Sequence, residues 1–269
     1  MTPDPMTSDR RPGDTFGTIA RMEISELVNC LDREAKLLAA AAETAGPGAE
    51  VPTCPGWQVR NLLRHTGMVH RWAAAYVTAG HTAYHPDEGE PDLDGDALLG
   101  WFREGHALLV AALSTAPKDL ECWTFLPAPS PLAFWARRQA HETAVHRADA
   151  ESALGAGLSP LRPEFAVDGI DELLRAFHAR GKSRVRTDVP RVVRVRATDA
   201  GDVWTVRLSP DGPPQTERTG EGPADCELSG PAERLYLALW NRLPLSAITL
   251  SGDATLAQLW REKSSVTWS

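Results

Sequence analysis

The chain has 269 residues, 42% of them hydrophobic and 24% charged, which fits a soluble globular protein of one large or two ordinary domains. Its formal net charge of −8 arises in the first 160 residues, where 13 basic residues face 21 acidic ones, against 15 and 15 in the remainder; with no stripe of Lys and Arg, nucleic acid is excluded as a partner. No apolar run approaches the roughly 18 to 20 residues that cross a bilayer, the N-terminus lacks a basic-then-apolar leader, and Cys30, Cys54, Cys122 and Cys226 are scattered without a CxxC pair, so a cytoplasmic protein with free thiols is expected.

Residues 1–18, with three prolines and little apolar surface, read as a flexible tail. From about 20 to 45, Met22, Leu27, Leu31 and Leu38 recur at helical spacing until Gly46-Pro47, which predicts a first long helix. The loop PGAEVPTCPG leads to a second helix that starts at Trp57, carries His65 near its middle and stops at Gly80. DALLGWFREGHALLVAALSTAP predicts a third helix, and LAFWARRQAHETAVHRADAESALG a fourth, running from Pro131 to Gly155. Four helices of similar length predict a four-helix bundle over 19–158.

After Pro160 the pattern changes. One more helix, FAVDGIDELLRAFHARG, precedes the alternating stretches RVVRVRAT and VWTVRLS, which predict half-buried strands. A short strand ADCELSG, a helix PAERLYLALWNRL, a strand SAITLSG and a helix ATLAQLWRE complete a small α/β domain over 162–264. The fold class expected is α+β.

Within the fourth helix Glu142 and His146 are four residues apart, about 40° around the axis, so both project from one side and one ion can reach both. His141 makes HETAVH look like a zincin helix, but His141 and His146 are five apart, about 140°, and face different ways. A third ligand must come from another helix, and His65, among Leu62, Leu63 and Val69, is the leading candidate. Two imidazoles and a carboxylate suit zinc or another borderline divalent ion and leave a coordination position open. The same residues also suit an exposed helical pair, worth about 0.2–0.5 kcal/mol, beside a core histidine. His70 and His106 read as surface or core residues.

The segments TCPGWQVRNLLRHTG, WARRQAHETAVHRADAE, FAVDGIDELL and LYLALWNRLPLSAITLSGDATLAQLW resemble the mycothiol-dependent maleylpyruvate isomerase family, over about residues 20–262. The resemblance implies a DinB-like metal-binding bundle followed by a sterol-carrier-like domain, with zinc held by His65, Glu142 and His146 and mycothiol as co-substrate. It also implies a part in activity for Arg242, which would pair with a carboxylate of substrate or thiol if it faces the cleft between the domains; the alternative is an arginine whose stem covers its helix and whose head meets solvent or a carboxylate of the chain. Arg138, four residues before Glu142, is placed either to orient it or to form a surface ion pair with it. Cys54 has no evident His or cationic partner to make it a nucleophile.

The activity implied is attack of a metal-activated thiol on a small electrophile, giving isomerisation or S-transfer. A metal-dependent hydrolase and a non-catalytic binding module remain the alternatives, and monomer and homodimer stay equally open.

Overall fold

The computed structural model describes residues 22–265, so the tail expected over 1–18 lies outside the described residues. Four helices, α1 (Ile24–Ala45), α2 (Val59–Ala79), α3 (Gly95–Thr115) and α4 (Pro131–Ser152), form the bundle that the periodicity predicts. α1 packs against α3 and α4, and α2 packs against the same two, so α1 and α2 stand diagonally across the bundle. None of the described helices is long and apolar enough to cross a membrane.

Local chemistry sets the helix ends. α4 starts at Ser130, whose hydroxyl accepts from the Ala133 N–H at 3.1 Å, with Pro131 in the first turn where its missing N–H costs nothing. α2 starts at Gln58, whose N–H donates to Asn61 Oδ1 at 2.9 Å. Gly80, in the left-handed region with φ 65°, ends α2.

α4 has no polar stripe because it has no exposed side. Only Pro131, Ala133, Arg137 and Ser152 of its residues escape burial. Its buried charges are paired: Arg147 with Glu34 of α1 at 2.8 Å and with Glu151 at 2.7 Å, and His141 with Asp168 at 2.8 Å.

Beyond α4, helix α5 (Pro163–Glu172) runs directly into a π turn (Leu173–Phe177), closed by the His178 N–H on Leu173 O at 3.0 Å. A five-stranded sheet follows: β1 (Arg191–Ala197), β2 (Val203–Leu208), β3 (Gln215–Glu217), β4 (Cys226–Gly230) and β5 (Thr249–Gly252), in the order β3-β2-β1-β4-β5. β1 pairs parallel with β4, and every other neighbouring pair is antiparallel. α6 (Ala232–Leu239) links β4 to β5, and α7 (Ala254–Lys263) follows.

Two details depart from the sequence reading. β3 is a polar edge strand of three residues, QTE, too short for any alternation to announce it. α6 ends at Leu239 rather than continuing through Leu243, because Asn241 takes φ 63°, the only non-glycine with positive φ among the described residues. The Asn241 N–H donates to Ala238 O at 3.0 Å and the Arg242 N–H to Leu237 O at 2.7 Å. These two bonds are a Schellman closure with Asn in the left-handed position. This turn throws Arg242 back toward α4.

One apolar cluster runs from Leu27 and Trp135 in the bundle through Phe165 and Ile170 of α5 to Trp204, Leu228 and Trp260 around the sheet. A second, smaller one fills the bundle around Leu38, Leu62 and Phe102.

Candidate metal centre

One ligand atom each of His65, Glu142 and His146 lies within 4.8 Å of the other two, a cluster formed by α2 and α4. Glu142 Oε1 is 3.1 Å from His146 Nε2 and 3.5 Å from His65 Nε2. Four ligands in a tetrahedron at bond lengths of about 2.0–2.1 Å stand about 3.3 Å apart. The separations of 3.1 and 3.5 Å bracket that value, so the donors have room for a zinc-sized ion between them. His65 Nε2 is buried and has no hydrogen-bond partner, an orphaned acceptor or donor that an ion would satisfy. The residues present therefore fit a divalent metal.

The carboxylate is kept charged. Burial alone would raise the Glu142 pKa, but the hydrogen bond from His146, the close approach of His65 and the Arg138 charge outweigh it and hold the group well below the usual carboxylate range. His146 is buried too, which would lower its pKa, yet its bonds to Asp149 and Glu142 lift it to about 9. The pocket thus favours a positive charge between these groups, whether from a proton or from a metal ion.

Asp149 stands behind His146, with Oδ2 2.9 Å from Nδ1, and fixes the ring so that Nε2 faces Glu142. Sequence reading missed it, although its place three residues after His146 on one helix is the signal that could have found it. Asp149 is wholly buried and receives three more hydrogen bonds: two from Arg242, at 2.9 and 2.8 Å, and one from the Thr53 hydroxyl at 2.6 Å. The charge of Arg242 and the bond to His146 hold the Asp149 pKa below its ordinary value despite burial.

The loop before α2 forms the neighbouring wall. It is tied to itself by Val51 N–H to Trp57 O and Trp57 N–H to Cys54 O, both 2.9 Å, and turns at Gly56, whose φ of 85° suits glycine. Trp57 lies edge-on to His65, with ring centroids 5.3 Å apart, and nearly parallel to His146 at 6.5 Å. Cys54 does have a cationic neighbour, Arg242 Nη2 at 3.7 Å, which sequence reading did not foresee. Burial and the Asp149 charge nevertheless push its thiol up to about 12, so it is no nucleophile at neutral pH.

Arg242 reaches this pocket from the C-terminal half, but its fork closes on Asp149 rather than standing free in a cleft. Two of its five N–H donors go to Asp149, one to Cys54 and one to Trp240 O at 2.8 Å, which leaves one uncommitted. Arg138 donates to Glu142 Oε2 at 3.2 Å with both side chains buried, so the pair is not the surface ion pair that their spacing also allows. His141 points away to Asp168 and Tyr236, as helical geometry requires. His70 and His106 are both buried; His70 Nε2 bonds the Thr143 hydroxyl at 2.8 Å, and His106 faces Asp32 at 3.2 Å.

Residues 28–151 match the sequence model of the mycothiol maleylpyruvate isomerase N-terminal domain, and residues 164–259 match that of the corresponding C-terminal domain. The chain belongs to the mycothiol maleylpyruvate isomerase family. Its fold agrees with two solved structures, the mycothiol-dependent maleylpyruvate isomerase and a variant of it with one histidine replaced by alanine. Each is 13% identical to this member of the family, with a TM-score of 0.59 over 86% of this chain and 93% of the other. A comparison with curated proteins found no match. In this family member the two matched regions meet where Arg242 grips Asp149.

Proposed function

We propose that this protein is a mycothiol-dependent enzyme that works through a divalent metal ion, zinc in the first instance, held by His65, Glu142 and His146. The convergence of two imidazole nitrogens and one carboxylate oxygen at metal-ligand spacing carries this reading. Three protein donors leave a position for an exogenous ligand, the arrangement of catalytic rather than structural sites. A bound ion would supply a Lewis acid that keeps a thiol sulfur deprotonated near neutral pH.

The chain's own residues do the rest. Asp149 holds His146 in one tautomer, and Arg242 and Thr53 hold Asp149. Trp57 walls both histidines and restricts water around them. The uncommitted N–H of Arg242 is the group that can take a carboxylate of substrate or thiol, and its side chain is 17% exposed. Addition of the thiol sulfur to a conjugated cis double bond, rotation about the bond made single, and expulsion of the thiol return the trans isomer with the thiol unchanged. Without the expulsion the same chemistry is S-transfer.

The test is metal analysis of the wild type and of His65→Ala, then calorimetric titration with mycothiol, then mycothiol-dependent conversion of maleylpyruvate. One ion per chain, lost in His65→Ala, with thiol binding and isomerisation that both need the ion, is the expected result. Metal without thiol binding turns the reading toward metal-dependent hydrolysis. Absence of both leaves a binding module.

A further inference from the structure

The two oxygens of Glu142 have different neighbours. Oε1 faces both histidine Nε2 atoms, whereas Oε2 accepts from Arg138 Nη2 at 3.2 Å. Arg138 is 1% exposed, and its other terminal nitrogen is bonded to Glu172 Oε2 at the end of α5. Its guanidinium lies 4.8 Å from the centre of the Phe177 ring and 5.6 Å from that of Trp240.

The π turn makes this grip possible. Glu172 and Phe177 are five residues apart, about 140° around an ordinary α-helix. The wider i→i+5 turn over Leu173–Phe177 reduces that offset, and both Glu172 and Phe177 meet the same guanidinium. Glu172 balances the Arg138 charge, so Glu142 keeps its full negative charge for an ion while losing the use of one oxygen.

We propose that Arg138 and Glu172 are positioning residues that make Glu142 a single-oxygen ligand and thereby keep a coordination position free for the thiol. A carboxylate free to turn would chelate with both oxygens and fill that position. This inference rests on the metal reading above, and the experiment separates the two.

Cobalt(II) is loaded into the wild type, Arg138→Lys, Glu172→Gln and the double variant Arg138→Gln/Glu172→Gln, and the visible d–d absorption is recorded. Zinc affinity is measured beside it by chelator competition. The wild type is expected to give the intense bands of four-coordinate cobalt. Variants that keep a wild-type circular dichroism spectrum should give weaker bands of higher coordination number, and bind zinc about 10- to 100-fold less tightly. Should the double variant fail to fold, the singles decide, since Lys keeps the charge without the fork and Gln keeps the shape without the charge. Folded variants with the wild-type cobalt spectrum and zinc affinity overturn the proposal. A wild type that takes up no cobalt or zinc overturns the metal reading, and this proposal with it.

Discussion

Replacing Asp149 by Asn tests how the bundle and the C-terminal half jointly set the proposed metal centre. Asp149 is fully buried and accepts two bonds from Arg242, one from Thr53 and one from His146. Asn keeps the volume but removes the charge, so Arg242 loses its ion-pair partner at a buried site, where breaking a pair costs about 3–5 kcal/mol. The second consequence falls on the metal. A histidine ligand deprived of its carboxylate partner typically costs 10- to 100-fold in metal affinity, about 1.4 to 2.8 kcal/mol. Thr53→Val is the control, since it removes one hydrogen bond to the same carboxylate, worth about 1.5–3 kcal/mol, and leaves the charge in place. Zinc competition with a chromophoric chelator and denaturant melts of the metal-free protein give the two numbers. Loss of stability in Asp149→Asn with zinc affinity equal to wild type would refute the argument, because Asp149 would then be a brace between the two halves and nothing more.

Cys54→Ser should retain metal content and turnover close to wild type, and Cys54 should react with iodoacetamide only slowly at pH 7.5, since its thiol is pushed up to about 12; collapse of activity in the serine variant would make the sulfur a participant. Gly169→Ala places a methyl group into the Tyr236 ring and 2.8 Å from His141 Nδ1, both fully buried, so it should destabilise the chain by about 1–3 kcal/mol in denaturant melts, and a neutral result would mean that this seam is loosely packed. His178 is 4% exposed, and burial first and Arg180 second lower its pKa from 6.5 to about 4. The unfolded chain therefore binds a proton between pH 6.5 and 4 that the folded chain refuses. The stability from this group is complete above pH 6.5 and is lost as pH falls through that window, by about 3 kcal/mol. Melts of His178→Gln across that range should show a shallower decline than wild type; equal slopes would remove His178 as a source.

The helices of the bundle were legible because apolar periodicity and the punctuation at Gly46-Pro47, Gly80 and Pro131 acted within single segments. The juxtaposition of Glu142 and His146 was legible for the same reason, since one helix fixes both. His65 needed a partner helix; its place beside the apolar side of α2 only hinted at it, and the family resemblance supplied the rest. The surroundings of the site were mostly illegible. Arg242 meets Asp149 93 residues away in sequence because Asn241 adopts a left-handed turn, and Arg138 meets Glu172 34 residues away. Such pairings depend on how α4 packs against its neighbours, which periodicity does not encode. β3 was invisible because three polar residues at a sheet edge carry no pattern.

The apolar cluster that runs from Leu27 through α5 to Trp260 ignores the change of pattern near residue 160. Its continuity predicts that the bundle and the sheet melt as a single cooperative unit, with coincident near-UV and far-UV transitions. Binding free energy from an ion at the proposed site would then be spread over strands that never approach it. An ion present at a thousandfold excess over its dissociation constant stabilises such a unit by about 4 kcal/mol. Amide hydrogens of β1, in the middle of the sheet, would exchange with solvent more slowly whenever His65, Glu142 and His146 were occupied.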